Sequence, residues 1–205
     1  MFQFRRVATH TGPAGSVPHV LADAVHHMRE VSDLDVQLWH LVAGGPTGTS
    51  MISVWAPRVE DVTELLDGLR GDRIARDLRD EAPARLHAPA RDTCETGRAG
   101  EPQRVRSRPG WVQVRSEAVA ALRPGTWMTD PVEAAAQCGV HTLAVREMFG
   151  DENRVAWISI ARDHGEIVER SALLTADVGW ATADAAVDRH LTATGRSSSL
   201  WRRSV

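Results

Sequence analysis

The 205 residues suit one medium domain or two small ones, and a content of 42% hydrophobic and 25% charged side chains marks a globular chain and excludes a disordered one. A formal net charge of -3 excludes a global field that would draw the protein onto nucleic acid or anionic lipid. There is no Lys and no Tyr, so Schiff-base lysine chemistry and tyrosine acid–base catalysis are off the menu.

Residues 2–10, FQFRRVATH, alternate well enough for a strand, and TGPAGS breaks it. VPHVLADAVHHMREV then places Val20, Leu21, Ala24, Val25, Met28 and Val31 on one helical face, with Pro18 tolerated in the first turn. VQLWHLV and SMISVWA read as two strands joined through GGPTG. RVEDVTELLDGLRG puts Val59, Val62, Leu65, Leu66 and Leu69 on a face with Gly71 as a stop, and DRIARDLRDEA extends the helical pattern.

Residues 82–110 are rich in Pro, Gly, Arg and Ala, which is linker composition, although part of them could supply a strand. The pattern then resumes. WVQVRSEAVAAL is a strand candidate. DPVEAAAQCG predicts a helix with Asp130 as N-cap, Pro131 at the first helical position, Glu133 closing a capping box and Gly139 as stop. A second hairpin spans 143–163, helical sequence follows, and SSLWRRSV predicts a last strand.

The division expected is thus 1–81, a linker over 82–110, and 111–205. The two hairpins align when Ile52-Ser53 is laid on Ile158-Ser159, which pairs Met51 with Trp157 and Val54 with Ile160. The pattern predicts one unit written twice. The competing reading is a coincidence of two Ile-Ser dipeptides.

A strand-helix-strand-strand-helix-strand unit used twice resembles the dimeric α/β-barrel superfamily in its tandem form, distantly like antibiotic biosynthesis monooxygenase-type domains. The resemblance rests on element order over residues 2–80 and 111–205. It implies an α+β fold of two ferredoxin-like units in tandem forming an intramolecular barrel. It also implies a pocket for a small hydrophobic or aromatic molecule, with cofactor-independent oxygenation or cyclisation as the reactions. The superfamily's quinone-forming and heme-degrading members are expected to use Asn in the pocket. The one Asn here, Asn153, falls in a predicted turn, so neither active site transfers. A non-catalytic ligand-binding or protein-interaction role is the alternative.

Strand alternation selects the candidate site residues. Met51, Ser53 and Trp55 share one face of their strand; Trp157, Ser159 and Ala161 share one face of theirs. Trp39 joins the first set. These Trp and Ser side chains are the substrate-binding candidates, since an indole offers a flat surface and a serine a placed hydroxyl. Filling of an inter-sheet core is the bland reading of the same sets. The aliphatic sets, Ile52/Val54/Ala56 and Ala156/Ile158/Ile160, are expected to pack on helices. His40 and His10 are the candidates for general base, against a role as hydrogen-bonded core residues. Arg146 is a candidate anchor for a carboxylate or hydroxyl.

No metal or cofactor is predicted: His19, His26 and His27 cannot converge on one ion, and Cys94 and Cys138 make neither a zinc signature nor a disulfide framework. GGPTG lacks the lysine of a phosphate-binding loop. The N-terminus lacks an apolar signal segment, and no run approaches about 18 apolar residues. The expectation is a cytoplasmic protein, free of nucleic-acid and membrane partners, existing as a monomeric pseudo-dimer or a homodimer.

Overall fold

The computed structural model describes residues 2–10, 19–81, 91–99, 110–119, 126–149 and 154–204. The TGPAGS break, the tip of the second hairpin and most of the predicted linker lie outside them. Two compact units emerge, Met1–Glu95 with Arg202–Val205, and Thr96–Trp201.

In the first unit the elements are β1 (Phe2–Thr9), α1 (His19–Glu30), β2 (Asp35–Ala43), β3 (Thr49–Ala56), α2 (Val59–Gly71), α3 (Arg73–Glu81) and β4 (Arg91–Ala99), whose last residues fall to the second unit. The second unit continues with β5 (Trp111–Val119), α4 (Thr126–Gln137), β6 (Thr142–Phe149), β7 (Arg154–Ala161), α5 (His164–Ala176), α6 (Val178–Asp188) and β8 (Leu191–Arg203). The strand order is β4-β1-β3-β2 in the first unit and β8-β5-β7-β6 in the second. Both are the ferredoxin-like order. The end of β8 belongs to the first unit, where the Ser204 N–H donates to the Leu38 carbonyl at 2.9 Å. β4 lies in the stretch whose composition reads as linker.

The core of the first unit forms as the alternation requires. Antiparallel register sets Phe4 and Val36 opposite Val54, and Leu38 opposite Ile52. These side chains, with Ala56, meet Val20, Leu21, Val25 and Met28 of α1 and Val62 and Leu65 of α2 in one buried cluster. Removing such side chains from water stabilises by about 1.5–3 kcal/mol each.

The second unit departs from expectation. Its helix-facing cluster contains Val155 and Trp157 of β7, packed with Trp127, Met128 and Val132 of α4 and Val187 of α6. The aliphatic set Ala156/Ile158/Ile160 therefore faces away from these helices, not toward them. The cause is a one-residue offset. Ala56 and Ala161 each end a strand three residues before a helix, which lays Trp157 on Ile52 rather than on Met51. In a strand a slip of one residue exchanges the two faces. The shared Ile-Ser dipeptides are therefore a coincidence of identity within a genuine repeat of order.

The helix starting at Asp130 is also corrected. α4 begins at Thr126 and carries Pro131 in its interior. Tertiary packing outweighs the local signal. Trp127 is buried, stacks on His190 with ring centroids 4.7 Å apart, and meets Trp157 edge-on at 6.5 Å. The following helices obey the capping rules: Asp163 accepts from the Glu166 N–H at 2.9 Å and Asp177 from the Trp180 N–H at 2.6 Å. The Asp177→Ala variant is expected to lose about 1 kcal/mol of stability, read as a lower urea midpoint with unchanged slope. An unchanged midpoint would show that the cap does not hold α6.

Candidate functional site

The predicted site residues other than Arg146 fall in three groups, two in the first unit and one in the second. In the first, β1, β2 and β3 bring His10, His40 and Ser50 together. His40 stands opposite Ser50 in the β2–β3 register, and the His10 Nε2 lies 3.0 Å from the Ser50 hydroxyl. Gly48 makes room for this. It holds φ at +81°, its carbonyl accepts from the His10 N–H at 3.0 Å, and a Cβ there would sit 2.7 Å from the His10 carbonyl oxygen. All three side chains are buried, with Ser50 only 1% exposed. Burial, then the charges of Arg202 and His10, holds the His40 imidazole below its ordinary value, and its Nδ1 has no hydrogen-bond partner among the described residues. Ser50 escaped the sequence reading. Its cross-strand position beside His40 is the signal that finds it.

The opposite face of the same sheet carries Trp39, Ser53 and Trp55. The Trp39 indole N–H donates to the Ser53 hydroxyl at 2.8 Å, and both are buried; Trp55 is half-buried. The Trp39–Ser53 pair satisfies itself.

The second unit holds an open pocket of about 170 Å3. Its floor is one sheet face: Gln113 and Arg115 of β5, Trp157 and Ser159 of β7, and Ser198 of β8. Its wall is Ser171, Leu174 and Thr175 of α5 with Trp180 of α6. Gln113 pairs with Ser159 and Arg115 with Trp157 across the strands. The Arg115 guanidinium lies over the Trp157 ring at 5.3 Å, while the Trp157 N–H donates to the Met128 carbonyl at 3.2 Å and so fixes the ring. Ser159 shares a hydrogen bond of 2.9 Å with Thr142.

Arg115 is anchored from behind. Its Nε pairs with Glu117, which is fully buried, and its Nη1 with Asp184 of α6. Arg196 of β8 completes the network, reaching Glu117 at 3.0 Å and Asp188 at 2.7 Å. Of the predicted residues, Trp157 and Ser159 line this pocket. Arg146, on β6, is not among its lining side chains. Gln113, Arg115, Ser198 and the helical wall were not anticipated, although WVQVRSE places Gln113, Arg115 and Glu117 at alternate positions on one face.

Solved structures resemble this chain along nearly its whole length. A monooxygenase-like protein of Fusobacterium nucleatum superposes with a TM-score of 0.70 at 8% identity, over 98% of this chain and 91% of that one. An anthrone oxidase-like protein gives 0.56 at 8% identity, over 100% and 91%. A chlorite dismutase mutant from Candidatus Nitrospira defluvii, in complex with cyanide, gives 0.52 at 12% identity, over 99% and 91%. The fold is the tandem dimeric α/β-barrel fold. No protein-family model and no curated protein sequence matches the chain. No described helix is long and apolar enough to cross a membrane.

Heme, which the resemblance to heme-degrading proteins would imply, does not fit the second-unit pocket. The lining has no His, Cys or Met to ligate iron, and about 170 Å3 falls short of the roughly 300–1,000 Å3 of pockets for drug-sized ligands.

The lowered His40 sets a pH dependence. Between the folded value and the ordinary value of 6.5, the unfolded chain binds more protons at this residue than the folded one. Stability therefore falls as pH drops through 6.5 toward the folded value, and is flat with respect to His40 below it. His141, lowered by burial and by Arg170, acts in the same sense. Chemical denaturation between pH 7.5 and 5 is expected to show this loss, with a shallower slope in His40→Gln, by up to about 1.4 kcal/mol per pH unit. An identical slope in the variant would contradict the assignment.

Proposed function

We propose that the protein binds a small, single-ring aromatic molecule in the pocket of its second unit. The observation that carries this reading is a pocket with two indoles in its lining, Trp157 buried in the floor and Trp180 half-buried in the wall, beside Ser and Thr hydroxyls. The size agrees. A cavity of about 150 Å3 takes one benzene ring, and this one measures about 170 Å3. A ring stacked on such a wall gains about 0.5–1.5 kcal/mol beyond its buried area.

Binding is favoured over turnover by the pocket's chemistry. Its lining offers hydroxyls, an amide and one guanidinium, but no imidazole or carboxylate as a general base. The imidazoles of His10 and His40 are buried with Ser50 in the first unit. The names of the monooxygenase-like and anthrone oxidase-like fold relatives make oxygenation of the bound ring the reaction to assay first.

Calorimetric titration with acetophenone tests the reading. Saturable one-to-one binding is expected in the wild type. Ser171→Trp, which fills the pocket from α5, is expected to weaken it at least tenfold while leaving thermal stability within a few degrees. Undiminished affinity in a folded Ser171→Trp variant would place the ligand elsewhere.

A further inference from the structure

Resting on that reading, we infer that the ring bound in the second unit's pocket carries a hydrogen-bond donor and an acceptor side by side, as a carboxamide does, and that Gln113 is the side chain that recognises this group. Gln113 stands on the middle strand of the pocket floor. β5 is flanked by β7 and β8. Gln113 lies opposite Ser159 of β7, and Ser198 lines the pocket from β8. Its chain neighbours Val112 and Val114 point to the other face of the strand and are buried there. Gln113 itself is only half-buried and lines the pocket. Its carboxamide makes no hydrogen bond among the described residues, and neither of its polar atoms is buried. Both are therefore accessible to a molecule seated on the floor.

Other polar groups of the lining are already committed. Arg115, the one ionisable side chain there, turns its Nε to Glu117 and its Nη1 to Asp184, and its Nη2 is buried. The Ser159 hydroxyl is shared with Thr142 at 2.9 Å, and the Thr175 hydroxyl donates to the Ser171 carbonyl at 2.8 Å. Polar recognition thus falls to neutral groups, and Gln113 is the one with fixed directions. A hydroxyl rotates to serve as donor or acceptor, whereas a carboxamide holds an N–H and a C=O side by side in one plane. A ligand carboxamide presents the same two groups in reverse and makes both hydrogen bonds at once. A ketone supplies an acceptor only and leaves the Gln113 oxygen without a donor. A carboxylate does the same and sets a charged oxygen against it. Gln113 is therefore a specificity-determining residue.

Benzamide and acetophenone differ only in an amino group against a methyl group, so the pair isolates the added donor. Calorimetric titration of the intact wild-type protein is expected to show benzamide bound about tenfold more tightly than acetophenone. Gln113→Leu and Gln113→Met, each of similar volume, are expected to bring benzamide to within about threefold of acetophenone while acetophenone affinity and thermal stability hold. Equal or weaker binding of benzamide by the wild type would overturn the inference and leave the aromatic pocket standing. A benzamide preference that persists in a folded Gln113 variant would overturn the role of Gln113. Binding of neither compound would overturn the pocket reading and this inference with it.

Discussion

Arg115 lies opposite Trp157 across β5 and β7, and the second unit is organised around that cross-strand pair. The indole faces α4 and α6 and fastens to the Met128 carbonyl; the guanidinium lies over it and fastens to Glu117 and Asp184. One strand pairing thereby ties the sheet to α4 through hydrophobic burial and to α6 through ion pairs. The buried Glu117 is tolerable because two guanidinium groups reach it. Removing one partner of a buried ion pair costs roughly 3–5 kcal/mol, since the remaining charge stays desolvated. The pocket is the space left beside this pair where α5 and α6 arch over the sheet.

The first unit solves the same packing problem differently. Its helix-facing positions on β3 are Ile52, Val54 and Ala56, which fill the space against α1 and α2. Two of its polar pairs are satisfied locally, Trp39 with Ser53 and His10 with Ser50. A duplicated fold has thus kept two chemically different faces. One unit places its indole on the helix side beside an arginine, and the other places aliphatic side chains there.

The order of elements was legible in the sequence because it rests on periodicity and breakers. The helical run of Val20, Leu21, Val25 and Met28 and the alternation of SMISVWA both survive into the buried cluster. What the sequence hid was the phase of the second unit. Strand alternation defines two faces but not which one meets the helices, and a shared Ile-Ser dipeptide suggested the wrong one. The end of the strand at Ala161, three residues before α5, carries the correct phase. The start of α4 was hidden for a related reason. Asp130-Pro131 is a strong local start signal, but Trp127 gains more by packing on His190 and Trp157 within the same helix. The pocket lining was half legible. Trp157 and Ser159 follow from one strand, whereas Arg115, Ser198 and the α5–α6 wall come from distant segments that only the fold assembles.

The most direct measurement is a crystal structure of the protein soaked with acetophenone. The account predicts the ring in the second unit's pocket, under the α5–α6 wall and against Trp180. A ring bound elsewhere would contradict it.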